Sequence, residues 1–191
     1  MKEKIDILFN ESINELKSIG IDMLDKEKIG TIDIDFSKRK TKRYGCCKQE
    51  APDKNSAYRI KRRIYYKKFN KHHIEISKWL MELNDDIIKN TIIHELIHCL
   101  PDCNNHGKKF KEVAKLINEK LGYNITRLGN KKEDYIKSNV LEKFNEDVKY
   151  NYKIYCEKCN QVYFRQRLAR NFTKKYLCGI CRGKFIVEKL K

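Results

Sequence analysis

Residues 84–100 read NDDIIKNTIIHELIHCL, and this stretch decides how the rest of the chain is read. Asn84 can cap a helix, Asp85 and Asp86 suit its positive end, and Pro101 follows it. Within the segment, His94, Glu95 and His98 form an H-E-x-x-H pattern. Four residues advance a helix by about 400°, so the two imidazoles project from one face about one turn apart. That spacing lets both reach a single Zn²⁺ at about 2.0–2.1 Å. Glu95 then lies beside the metal, where it can take a proton from an activated water and pass it to a leaving amine. The surrounding pattern is apolar (Ile87, Ile88, Ile92, Ile93, Leu96, Ile97), and charged or imidazole groups are costly there unless they serve a site. The plainer alternative is two satisfied histidines and one paired glutamate.

A catalytic zinc needs a third protein ligand and one open position. His106 is the leading candidate, because it follows the loop with Pro101 and precedes a second helical pattern over 108–121. Asp102, Cys103, Glu112 and Glu119 are its rivals. The second helix turns Phe110, Val113, Ala114, Ile117 and Leu121 inward and has Gly122 as its stop. Before the motif, residues 2–19 carry apolar positions at helical spacing, and 31–36 alternate Ile32, Ile34 and Phe36 with Asp33 and Asp35 as a half-buried strand does. A basic turn is expected at 38–43, then strands over 59–69 and 72–76; residues 123–148 are polar and carry no clear signal.

Cys156-x-x-Cys159 and Cys178-x-x-Cys181, 18 residues apart, have the spacing of a four-thiolate zinc site. Four thiolates close the coordination sphere, so this zinc is read as structural, with Gly179 and Gly183 giving the turns their freedom. The composition changes near residue 149, which divides the chain into domains 1–148 and 149–191. Between the cysteine pairs, Arg165, Arg167, Arg170, Lys174 and Lys175 interleave with Tyr163, Phe164 and Tyr176. Such a mixture suits stacking and phosphate contact on single-stranded nucleic acid, or else the aromatics form the module's small core. Cys46 and Cys47 read as buried thiols, since no partners for a third metal site are evident. His72 and His73, adjacent in a strand, point to opposite faces.

The chain has 191 residues and a net charge of +17, distributed unevenly. Residues 1–37 sum to −4, 38–78 to +12, 79–148 to −1 and 149–191 to +10. Codon bias would spread lysine evenly, so the two basic blocks point to a polyanionic partner, most simply nucleic acid. No run of 18 apolar residues is present, so no transmembrane helix is expected. Glu3, Asp6, Glu11 and Glu15 near the start are unlike a secretory or transit peptide, so the expected location is cytoplasmic, nucleoid-associated in a bacterium. A monomer is the default.

His94-Glu95-Leu96-Ile97-His98, followed by His106-Gly107-Lys108-Lys109-Phe110, resembles the SprT-like (Spartan-type) metalloproteases, whose pattern is H-E-x-x-H, a loop, then H-G-x-x-F opening the next helix. The resemblance extends from about residue 5 to 187, because a cysteine-pair zinc ribbon follows the catalytic domain in bacterial members. The metzincin pattern fits less well, since it wants a histidine where Asn104 stands. The resemblance implies an α+β, zincin-like domain with active-site helices packed on a small sheet, followed by the ribbon. It implies a zinc endopeptidase, in eukaryotic members one that cleaves proteins crosslinked to DNA. It also suggests that the strand at 74–76 binds extended substrate along an open edge. Two other functions remain open from the residues: a nucleic-acid-binding adaptor with a non-catalytic helix zinc, and a protease whose basic surface selects acidic proteins. Glu95 discriminates the first, because a structural site has no use for a base beside the metal.

Overall fold

The computed structural model describes residues 1–38, 42–144 and 150–190. The chain divides into two compact units, Met1–Phe144 and Asn145–Lys191. The boundary expected near residue 149 lies in 145–149, outside the described residues, as does the middle of the basic turn at 38–43.

In the first unit, helix α1 (Lys2–Ser18) buries Ile5, Leu8, Ile13 and Leu16, the positions its periodicity puts on one face. Strand β1 (Thr31–Phe36) points Ile34 into the core and leaves Asp33 exposed, as its alternation requires. Strand β2 (Gly45–Pro52) forms where no strand is expected from the sequence. The single strand expected at 59–69 is instead a hairpin, β3 (Ala57–Ile60) against β4 (Arg63–Tyr66), and a separate strand β5 (Phe69–Ile76). The hairpin turns at Lys61, which takes a positive φ of 55° without being glycine, so no residue type marks the turn. The three long strands pair in the order β1-β5-β2, with β1 parallel and β2 antiparallel to β5, so the strand holding 74–76 is central and paired on both sides rather than the open edge expected of it.

Helix α2 (Asp85–Ile97) starts where Asn84 accepts a hydrogen bond from the Ile87 N–H at 3.2 Å. Ile88, Ile92, Ile93, Leu96 and Ile97 are all essentially inaccessible, so α2 is apolar around most of its circumference and runs through the core. It packs on α1, β2 and β5. The helix ends at Ile97, short of Leu100. There the chain tightens, with Cys99 N–H bonding the Leu96 carbonyl and Leu100 N–H the Ile97 carbonyl, because Pro101 disfavours α geometry before it. Helix α3 (Lys108–Leu121) buries Phe110, Ala114 and Ile117 and stops at Gly122 in the left-handed conformation. The segment without a clear signal forms a short helix α4 (Lys131–Lys137), anchored by the buried Tyr135.

The second unit is a three-stranded antiparallel sheet, β6 (Tyr152–Cys156), β7 (Val162–Arg165) and β8 (Phe185–Lys189), with β6 in the centre, and a four-residue helix α5 (Phe172–Lys175). The molecule is mixed α and β throughout. No described helix is long and apolar enough to cross a membrane.

Candidate metal-binding active site

Helix α2 places His94 and His98 one turn apart, and the tight turn after it leads through Asp102, at φ 62°, to His106. The three imidazoles converge: one nitrogen from each lies within 4.8 Å of the others. The Nε2 atoms of His94 and His106 are 2.9 Å apart. His98 Nδ1 is 2.7 Å from the Cys103 carbonyl oxygen, which can only accept. Nδ1 therefore carries the proton, and Nε2 keeps a free lone pair, the tautomer a metal ligand needs.

Phe110, buried at the start of α3, lies against all three rings, with centroids 5.0, 4.7 and 4.8 Å from His94, His98 and His106. An aromatic residue four positions after His106 thus fixes the orientation of the whole cluster. The rivals for the third ligand are elsewhere. Asp102 is exposed, Glu112 and Glu119 face solvent beside Lys108 and Lys115, and Cys103 offers its carbonyl to His98.

Burial, with the neighbouring imidazoles adding to it, pushes His94 down to about 4. His98 and His106 are lowered too, chiefly by burial. All three are neutral near pH 7, as ligation requires. A set of three neutral nitrogens with one tautomer fixed by a backbone carbonyl fits a zinc ion.

Glu95 is 6% exposed. Burial, with a smaller contribution from Cys47, raises its carboxyl to about 8, while a hydrogen bond from the Cys47 backbone and the charge of Arg43 act the other way. A carboxyl in that range can both accept and return a proton near neutral pH. Its position depends on β2. A Cβ at Gly45 would lie 2.9 Å from both Cγ and Oε1 of Glu95, so only glycine leaves the carboxylate its place. The histidines and Glu95 open into a cleft of about 1140 Å³, whose walls include Tyr44, Gly45, Cys47, Asn105, Thr126 and Arg127. Tyr44, the residue before β2, donates to Asp134 across this cleft at 2.5 Å, which ties the entry of β2 to α4. Gly45 and the 123–137 wall were not legible as site components, because no local motif announces them, whereas Phe110 is legible as the last residue of the H-G-x-x-F pattern.

In the second unit, the thiols of Cys156, Cys159, Cys178 and Cys181 also lie within 4.8 Å of one another, with pairs at 3.3 and 3.6 Å. The left-handed positions of its knuckles fall on Asn160 and Arg182, not on Gly179 and Gly183 as expected. Gly183 matters by close approach instead: a Cβ there would sit 2.7 Å from Cys156 Sγ. Arg165, Arg167, Arg170, Lys174 and Lys175 are all exposed. The aromatics divide between the two readings. Tyr163 and Phe172 pack on Phe185, whereas Phe164 and Tyr176 are 44% and 49% exposed.

The first unit is thus an α+β fold carrying a helix-borne histidine cluster able to hold a metal, beside a buried carboxyl. Residues 13–129 match the family model described as SprT-like family. The chain is also 31% identical over 118 residues, 61% of its own length and 67% of the other's, to "Protein SprT-like" of Lactococcus lactis subsp. lactis (strain IL1403). It belongs to the SprT-like family, and that membership supports a metalloprotease-type role. The matched stretch ends before α4 and the second unit, so it is narrower than the resemblance read from the motifs.

Proposed function

We propose that the chain is a zinc endopeptidase of zincin type with a C-terminal zinc ribbon, acting on DNA-associated proteins. The observation that carries the proteolytic part is the convergence of His94, His98 and His106 beside the buried Glu95 at the floor of one open cleft. Zinc, when bound by the three histidines, supplies Lewis acidity that makes a water nucleophilic near neutral pH and polarises the peptide carbonyl. The chain's residues do the rest. Glu95 accepts the water's proton and delivers it to the leaving amine, the Cys47 backbone N–H holds its carboxylate, and Phe110 and the Cys103 carbonyl hold the imidazoles. The four thiols of the second unit hold a structural zinc.

Two surfaces support DNA as the partner. The β3–β4 hairpin presents Arg59, Lys61, Arg62 and Arg63 with Tyr58 stacked on Tyr65 at 5.7 Å, and the ribbon presents its five cations with Phe164 and Tyr176. Cleavage of a basic DNA-binding protein, measured with and without single-stranded DNA, tests this. Stimulation by DNA that is lost on Arg165→Glu/Arg167→Glu or Arg62→Glu/Arg63→Glu, with basal cleavage intact, is expected. Equal cleavage with and without DNA would leave a protease that is not DNA-directed.

Gly45→Ala gives a narrower test of the geometry. The added methyl must displace the Glu95 carboxylate, so kcat should fall by about 10- to 100-fold with zinc content unchanged. Steady-state cleavage and elemental analysis of the same preparation check it.

A further inference from the structure

Behind the histidine cluster lies a second group of metal-binding side chains, which the proteolytic mechanism does not use. Cys47 on β2 and His72 on β5 share the core-facing side of the sheet, since Cys47 pairs with Ile74, two residues beyond His72. Cys99 comes to them from the turn that ends α2. One ligand atom from each lies within 4.8 Å of the others. Cys47 Sγ is 3.7 Å from Cys99 Sγ and 3.8 Å from His72 Nδ1. His72 is 1% and Cys99 3% exposed.

The imidazole is already oriented. His72 Nε2 is 3.0 Å from the Ile29 carbonyl oxygen, so Nε2 carries the proton and Nδ1 directs its lone pair at the two sulfurs. A ligating histidine is held in this way by an outer acceptor. The distances also suit an ion. Tetrahedral bonds of about 2.3 Å to sulfur and 2.0–2.1 Å to nitrogen place two sulfurs about 3.8 Å apart, and sulfur and nitrogen about 3.6 Å apart. Both separations here lie within about 0.2 Å of those values. The four thiols of the second unit show comparable pair distances of 3.3 and 3.6 Å.

We propose that Cys47, His72 and Cys99 form a further metal site in the first unit, binding Zn²⁺ through two thiolates and one imidazole. The donor set selects thiophilic ions, chiefly zinc and copper(I). Charge decides between them. Two thiolates neutralise a divalent ion, whereas a monovalent one would leave net negative charge buried beside Glu95. Three protein ligands with one exchangeable position is a coordination that zinc accepts. The ion would tie β2, β5 and the end of α2 together. Cys47 is the residue whose backbone holds Glu95, and Cys99 adjoins His98, so occupancy of this site would set the frame on which the proteolytic residues stand.

The test uses the full-length protein, reduced and loaded with zinc, in native mass spectrometry and elemental analysis. Wild type should hold three zinc ions per chain, and Cys47→Ser and Cys99→Ser should each hold one fewer, with the other two retained. Cadmium-113 NMR of the cadmium-loaded wild type needs no variant to fold: it should show a resonance of mixed sulfur and nitrogen ligation beside the four-sulfur signal and the sulfur-free signal of the histidine site. Two ions per wild-type chain without the mixed resonance would overturn the proposal. So would a Cys47–Cys99 disulfide in the native peptide map, or a copper(I) ion that displaces stoichiometric zinc from these residues.

Discussion

Glu95→Gln should abolish cleavage while leaving the zinc ion of the histidine cluster in place. Removing a general base costs about 10²- to 10⁴-fold in kcat, and the amide cannot accept the proton. Glutamine keeps the shape and can still accept the hydrogen bond from the Cys47 backbone that positions the side chain. The same substitution should stabilise the metal-free protein. Glu95 is raised from an ordinary 4.5 to about 8 by burial, so the folded state holds its proton longer than the unfolded one. Stability therefore falls as pH rises from about 4.5 to about 8, the interval in which only the unfolded chain has released the proton. Glutamine has no proton to lose. Near pH 7 the metal-free variant should be more stable by on the order of 2–3 kcal/mol, and the advantage should shrink toward pH 5. Cleavage assays, zinc analysis and thermal melts at several pH values of chelator-treated protein measure the three effects. Retained cleavage by the zinc-loaded variant would remove Glu95 from the mechanism. A loss of zinc together with activity would make it a ligand rather than a base.

What could be read from the sequence follows the distance over which each feature is determined. The cap at Asn84, the i, i+4 placement of His94 and His98, and the left-handed stop at Gly122 are decided within one or two helical turns, and the local pattern specifies them. The alternation of β1 is similarly local, and Ile34 faces inward as written. Features that need two distant segments were not legible. The hairpin at Lys61 has no glycine or asparagine to announce it, so a run of basic and aromatic residues reads as one strand. The Cys47, His72 and Cys99 cluster depends on the β2–β5 register and on the tightened turn after α2, neither of which a spacing rule contains. Cys47 reads as a buried thiol for that reason alone, whereas the structure supplies the partners. Gly45 is the extreme case, since its contribution is the absence of a side chain where Glu95 needs room.

Zinc removal should unfold the second unit and leave the first folded. Among the described residues of the second unit only Ile154, Cys156 and Cys178 are buried, and two of these are thiols of the four-cysteine cluster. One buried isoleucine is far too small a core to offset the conformational entropy lost on ordering the module. The packing of Tyr163 and Phe172 on Phe185 is partly exposed and cannot close that gap. A metal bound by four thiolates supplies the missing stabilisation, because in small modules the free energy of zinc binding is folding free energy. The first unit has its own core around α2 and should keep it. In amide NMR spectra of the full-length protein, a strong chelator or Cys178→Ser should therefore collapse the resonances of 150–190 and spare most of those from 1–144. Signals from 150–190 that stay dispersed without metal would mean that the aromatic contacts suffice and that the thiol cluster is not structural. Because Arg165, Arg167, Arg170, Lys174 and Lys175 all project from this unit, its collapse should also abolish stimulation by DNA. Cysteine-to-serine replacement would then separate two properties that a chelator removes together, with basal cleavage at the histidine site persisting in Cys178→Ser.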